Sequence, residues 1–176
     1  GPRRRDIGHG LGAERALLKA CVERAVPVLA VCLGAQLLAA ALGARVFTGP
    51  APELGLGAVA LTDAGRRDPV FGPAGRYLPV LHWHSDTFEL PEHATLLASS
   101  DAYPHQAYRI GSAYGLQFHL ELEAAHLPEI EPHLPVGLQI DRRHLWLVNR
   151  AGRALFDRFL ATQVASSARQ LAGSMP

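Results

Sequence analysis

The stretch Pro27-Val28-Leu29-Ala30-Val31-Cys32-Leu33-Gly34-Ala35-Gln36 constrains this chain more than any other. Pro27 to Val31 is a short apolar run with two β-branched valines, and it reads as a buried strand. A helical run from Leu33 to Leu42 follows with no room for a loop. Cys32 therefore falls on a sharp strand-to-helix turn, flanked by Ala30 and Gly34, residues small enough for close backbone approach. A thiol there meets the positive end of a helix dipole, which favours thiolate. Two roles are open to it: an exposed nucleophile, or the buried structural cysteine that is the commoner fate of the residue type.

Around this centre the pattern is that of an α/β protein. Leu17, Leu18, Cys21, Val22 and Ala25 take the spacing of an amphipathic helix, with Cys21 on its inward stripe as a small core residue. Ala44 to Thr48, Leu56 to Leu61, Leu78 to Trp83, Thr95 to Ala98, Gln106 to Ile110 and Tyr114 to Phe118 read as strands. Gly49 to Pro52 reads as a turn, and the proline-punctuated stretch from Pro128 to Pro135 as irregular. Arg150 to Ala165 is a last amphipathic helix. Strand–helix alternation followed by a run of strands predicts an α/β sheet with an antiparallel or mixed section. In such sheets ligands bind beyond the carboxyl ends of the strands, which is where Cys32 lies.

Bulk properties exclude several functions. A chain of 176 residues, 48% hydrophobic and 19% charged, suits one globular domain, here expected over residues 1–165 with a flexible tail over 166–176. A net charge of +1 advertises neither nucleic acid nor an acidic membrane surface. No apolar run approaches the ~20 residues of a membrane span. Two cysteines make no disulfide framework, so a reducing cytoplasm is the expected location.

Nine histidines compete to be the base that Cys32 needs. His119 follows the strand Tyr114 to Phe118, and Glu121 stands two residues on. A period of two puts both on one face of an extended backbone. Glu121 then accepts from one imidazole nitrogen and holds the other toward the thiol, the parts of a Cys-His-Glu triad. The bland alternative is a surface histidine beside a solvated glutamate.

The two segments Ala30-Val31-Cys32-Leu33-Gly34-Ala35-Gln36 and Gln117-Phe118-His119-Leu120-Glu121 together resemble the paired signature of class I glutamine amidotransferases. The resemblance runs from about Gly1 to Glu123, taking in His82 to Phe88 and Gln106 to Arg109, and is strongest to stand-alone members similar to the amidotransferase domain of GMP synthase. It implies a flavodoxin-like α/β domain, a mixed sheet flanked by helices, that releases ammonia from the glutamine side chain through a thioester. It implies neither a cofactor nor a metal, and leaves room for a synthase subunit receiving the ammonia.

On this likeness Cys32 is the nucleophile, His119 the base and Glu121 its orienter. Leu33 donates its backbone N–H to the oxyanion, where a lost donor costs roughly 3 kcal/mol. Gln36 contacts substrate, and Ser85 and Asp86 belong to a loop holding its amino-acid end. Three departures stand out. Ala30 replaces the family's usual glycine, and Leu120 its usual proline, which leaves the geometry between His119 and Glu121 less fixed. The third is at the start. The family has strands and a helix before a Gly-Gly-Pro loop carrying the second oxyanion donor. Gly1-Pro2 fits the end of that loop, or the scar of a cleaved tag, so the chain is expected to be amino-terminally incomplete and to lack its first strands.

Other readings stay open. His82 and His84 face one way on a strand and could ligate a metal with His105, although no cysteine or carboxylate completes a recognisable set. The same triad could hydrolyse γ-glutamyl amides or peptides, and a degenerate member could serve for binding or regulation alone.

Overall fold

The computed structural model describes residues 11–173, with side chains through residue 166. Gly1 and Pro2, the candidate second oxyanion loop, lie outside the described residues. Helix α1 (Gly12–Glu23) leads to strand β1 (Val28–Val31), and α2 (Leu33–Ala41) starts one residue after it. Then come β2 (Val46–Leu61), the short α3 (Asp63–Arg67), β3 (Tyr77–Phe88), β4 (Thr95–Ser99), β5 (Ala107–Ile110) and β6 (Ala113–Leu116). Short α4 (Leu127–Ile130) and long α5 (Arg142–Gly173) follow.

The strands form one mixed sheet in the order β1-β6-β5-β4-β2-β3. β1 and β6 are parallel, with Val31 beside Leu116, and the other neighbours are antiparallel. Gly111 and Ser112 form the two-residue loop between β5 and β6, where Gly111 supplies the positive φ of 56° that such a hairpin turn needs. Alternation along β6 sends Tyr114 and Leu116 to one face and Ala113 to the other. On the first face they meet Val148, Leu155 and Phe159 of α5. On the second lie Ala35, Leu38 and Ala39 of α2, with Leu18 and Val22 of α1 packed against them. The result is a three-layer α/β arrangement, as the strand–helix pattern predicts.

One contact ties the sheet to α2. Gly115 pairs directly with Tyr108 across the β5–β6 hairpin, and the Tyr108 hydroxyl donates to the Ala35 carbonyl at 2.8 Å. A Cβ on Gly115 would stand 2.5 Å from that fully buried ring. Gly115→Ala must therefore displace Tyr108 and the turn of α2 it supports, and should destabilise the fold by about 1–3 kcal/mol in urea denaturation. A loss below about 0.5 kcal/mol would mean that the ring is not held there.

Four elements depart from the expectations. The two strands Ala44 to Thr48 and Leu56 to Leu61 are one strand, β2, and Gly49 to Pro52 is no turn. Its register against β3 shifts between Thr48 and Glu53, and this irregularity absorbs two prolines that have no N–H to pair. β3 runs past Trp83 to Phe88, so Ser85 and Asp86 sit in a strand rather than a loop. Asp86 pairs with Thr48, which keeps the strand going. Pro128 to Pro135 is not irregular throughout: Pro128 and Pro132 open short helical turns, where their missing N–H is harmless. α5 begins before Arg150 because Leu145 and Val148 are already core residues, and its helix spans Arg142–Gly173. Cys21 is half-buried and α1 carries no fully buried residue, so it is not a core cysteine.

Candidate active site

Cys32 occupies the single residue between β1 and α2, with φ 50° and ψ −109°. A side chain at positive φ is strained by about 1–3 kcal/mol and persists only where its surroundings impose it. Here the Cys32 N–H donates to Leu116 O at 2.7 Å, extending the β1–β6 pairing by one residue, while the Cys32 carbonyl accepts from Gln36 N to open the helix. The chain must turn between these two commitments, and the thiol is carried to the sheet's rim. A Cβ on Gly34 would lie 3.6 Å from the Ala30 methyl, an ordinary contact, so the extra methyl of Ala30 is accommodated. Leu33 is the first residue of α2, and its N–H has no partner within the helix.

His119 reaches the same rim from the other direction. The chain leaves β6 and crosses to β3, where His119 and Leu81 exchange both backbone hydrogen bonds at 2.8 and 3.0 Å. Its Nδ1 lies 2.5 Å from Glu121 Oε1. Leu120 N donates to Glu121 Oε2 at 2.9 Å, a bond that proline could not make. The substitution that leaves the His–Glu geometry less fixed in the sequence thus supplies its own restraint. With Nδ1 engaged by Glu121, Nε2 is the nitrogen left to face the sulfur.

Electrostatics agree with this arrangement. Burial alone would lower the His119 pKa, but hydrogen bonding to Cys32 and Glu121, with the charge of both, raises it to about 10. Burial pushes Glu121 up, and the His119 hydrogen bond and charge more than offset it, so its carboxyl sits below the usual range. An imidazolium is held between a sulfur and a carboxylate.

Gln36 is nearly buried, and its Nε2 donates to Asp86 O at 3.2 Å and to Gln117 Oε1 at 3.1 Å. Gln117 Nε2 points at Cys32 Sγ from 3.8 Å, and the Trp83 carbonyl lies 3.9 Å from the same sulfur. Cys32, His119, Glu121, Gln36 and Asp86 are therefore brought together, with Leu33 at the rim. Ser85 is exposed, and among the described residues it enters none of these hydrogen bonds. Sequence reasoning missed Gln117 and the Trp83 carbonyl as partners of the sulfur. Gln117 carried a signal, a glutamine that continues an otherwise buried strand.

The expected histidine set is regrouped. His105 turns its Nδ1 to Phe88 O at 2.8 Å, away from the pair. His82 and His84 converge instead on Glu53 of β2, a carboxylate absent from the sequence reading. The three donor atoms lie within 4.8 Å of one another, the one such group among the described residues. His84 Nε2 is 2.9 Å from Glu53 Oε2, and His82 Nδ1 is 3.3 Å from it, off the line of a hydrogen bond. Ser100 Oγ donates to Oε1 at 2.7 Å and Gln106 Nε2 to Oε2. Ser100 and Gln106 thus already donate to the carboxylate, as in a hydrogen-bonded cluster. Burial lowers the His82 pKa, partly opposed by Glu53 and reinforced by His84 and His119, so its ring is neutral beside the active site.

Comparison with known proteins points the same way. The model of the family described as glutamine amidotransferase class-I matches residues 1–128. The glutamine amidotransferase-like protein YfeJ of Salmonella typhimurium is 41% identical over 110 residues, 62% of this chain and 46% of that protein. One subunit of the glutamine-hydrolyzing GMP synthase of Thermococcus kodakarensis is 36% identical over 110 residues, 61% of this chain and 57% of that one. The chain thus spans about half the length of the curated relatives it matches. A crystal structure of a glutamine amidotransferase from Thermotoga maritima superposes with a TM-score of 0.70 at 31% identity, covering 85% of this chain and 69% of that one. Another from Methylobacillus flagellatus gives 0.74 at 27% identity, covering 85% and 68%. Among the described residues no helix is long and apolar enough to cross a membrane.

Proposed function

The chain belongs to the class I glutamine amidotransferase family, and from that premise we propose that it hydrolyses the side-chain amide of glutamine through Cys32, His119 and Glu121. The observation that carries the reading is the nucleophile's geometry. Cys32 stands at positive φ on the strand-to-helix junction, with the His119–Glu121 pair against its sulfur. In the proposed cycle Sγ bonds to the amide carbon, and the oxyanion forms against the Leu33 N–H at the positive end of α2. His119 gives its Nε2 proton to the departing nitrogen, which leaves as ammonia, and the acyl group remains on sulfur as a thioester. Neutral His119 then takes a proton from water, whose oxygen attacks the thioester carbon, and the C–S bond breaks to release glutamate and return the Cys32 sulfur beside the imidazolium. Glu121 keeps the imidazole in one orientation throughout. Gln36 spends both amide hydrogens on Asp86 and Gln117, so its Oε1 is free to accept from substrate.

Residues 1–165 serve in this reading as a single amidotransferase domain, working in the cytoplasm. The relative named as one part of a GMP synthase supports a separate synthase chain as the recipient of ammonia. The test is ammonia release from a panel of glutamine, γ-glutamyl amides and γ-glutamyl peptides. Release from glutamine that disappears in Cys32→Ala is the expected result; release from γ-glutamyl amines alone would refute glutamine as substrate.

A further inference from the structure

Glu53 touches neither the sulfur nor the imidazole of the proposed triad, yet a continuous line of hydrogen bonds leads from it to Cys32. His84 stands between two acceptors, its Nδ1 3.0 Å from Asp86 O and its Nε2 2.9 Å from Glu53 Oε2. A carbonyl oxygen can only accept, so Nδ1 donates to Asp86 O, and Nε2 is turned to the Glu53 carboxylate. Asp86 O also accepts from Gln36 Nε2, Gln36 continues to Gln117, and Gln117 reaches Cys32. Glu53 is itself fixed from the opposite side by Ser100 and Gln106, which flank the β4–β5 connection. Tyr103 packs against the His84 ring at 4.9 Å between centroids, which leaves the ring little freedom to turn. The His84 side chain is 1% exposed, so its contact with Glu53 is made out of water.

We infer that Glu53 is a positioning residue of the active site: it holds His84, and through His84 the Asp86 carbonyl that orients Gln36 toward substrate. The inference rests on the reading of Cys32 as the nucleophile of glutamine hydrolysis. A pair that merely stabilised the β2–β3 hairpin would need no connection to Gln36. This one ends on the same carbonyl that Gln36 uses, and the line continues from there to the nucleophile through Gln36 and Gln117. Replacing the carboxylate should free His84, let the Asp86 carbonyl shift, and leave Gln36 without a fixed orientation. The dyad of Cys32 and His119 is anchored separately, through β6 and Leu81, and should stay intact.

Two electrophiles read these parts separately on the full chain. Cys32 sulfur displaces iodide from iodoacetamide, which is too small to need the substrate contacts, and chloride from a chloromethyl ketone shaped like glutamine, which does need them. The ratio of the two labelling rates reports Gln36 and its support. Wild type should favour the glutamine-shaped reagent. In Glu53→Gln that preference should fall about 10- to 100-fold, with the iodoacetamide rate within about threefold of wild type. His84→Gln should lose the same amount, and the double variant no more than either single one. An unchanged preference in Glu53→Gln, an additive double variant, or equal loss with both reagents overturns the inference. If Glu53→Gln fails to fold, His84→Gln is read by the same criterion. Wild type labelled no faster by the glutamine-shaped reagent would overturn the proposed function itself, a failure visible without any substitution at Glu53.

Discussion

Cys32→Ala is expected to lower ammonia release from glutamine by about 10⁴-fold or more, because it removes the one atom that bonds to the amide carbon. Its effect on stability separates a nucleophile's turn from an ordinary buried cysteine. Alanine keeps a Cβ at φ 50° and so keeps the strain, which at such a position is about 1–3 kcal/mol. Cys32→Gly abolishes activity equally but relieves that strain. Glycine also loses more freedom on folding, which offsets about 0.4–1 kcal/mol of the gain. Cys32→Gly should therefore be more stable than Cys32→Ala by about 1 kcal/mol in urea denaturation at one pH. Were the two variants equally stable, the backbone at this turn would not be strained. Were Cys32→Ala to retain turnover, the thiol would not be the nucleophile.

What could be read in the sequence divides along a physical line. The turn at Cys32 was legible because its determinants are local: an apolar run, a small residue on either side, and a helix with no intervening loop. His119 and Glu121 were legible for the same reason, a two-residue spacing on extended chain. The single strand β2 was not, because Gly49, Pro50 and Pro52 carry strong turn chemistry locally, and only pairing with β3 overrides it. For the same reason Ser85 and Asp86 read as a loop: nothing near them in sequence announces Thr48 as a strand partner. Glu53 was invisible as a site residue, since its four partners come from β3 and from the segments beside β4 and β5. Such a cluster exists only through register, and register is set by the whole sheet. Leu120 makes the converse point. Judged as a missing proline it loosens the site, whereas in the fold its N–H binds the carboxylate that orients His119.

His119→Asn is expected to lower kcat by about 10²–10⁴-fold with the fold intact, since asparagine can neither give the proton to departing ammonia nor take one from water. The same residue sets a pH limit. With its pKa raised to about 10, His119 is an imidazolium throughout the neutral range, and kcat/KM should hold level there and fall as pH rises through about 10. Glu121 supplies part of that shift by hydrogen bond and by charge, so Glu121→Gln should move the alkaline fall to lower pH. The sign is the same for stability. In the unfolded chain the imidazole reverts to about 6.5, so its contribution is whole below that pH and is lost as pH climbs through about 10. Activity and alkaline unfolding are therefore coupled through one proton, and both curves should shift together in Glu121→Gln. Retention of most activity in His119→Asn would remove it as the proton carrier, and an alkaline limb unmoved in Glu121→Gln would detach the carboxylate from the imidazole. The Leu120 N–H makes this a sharp test: in Glu121→Gln it can donate to the new amide oxygen as it does to Glu121 Oε2, so a shift in the limb reports the lost charge and not a collapse of local geometry.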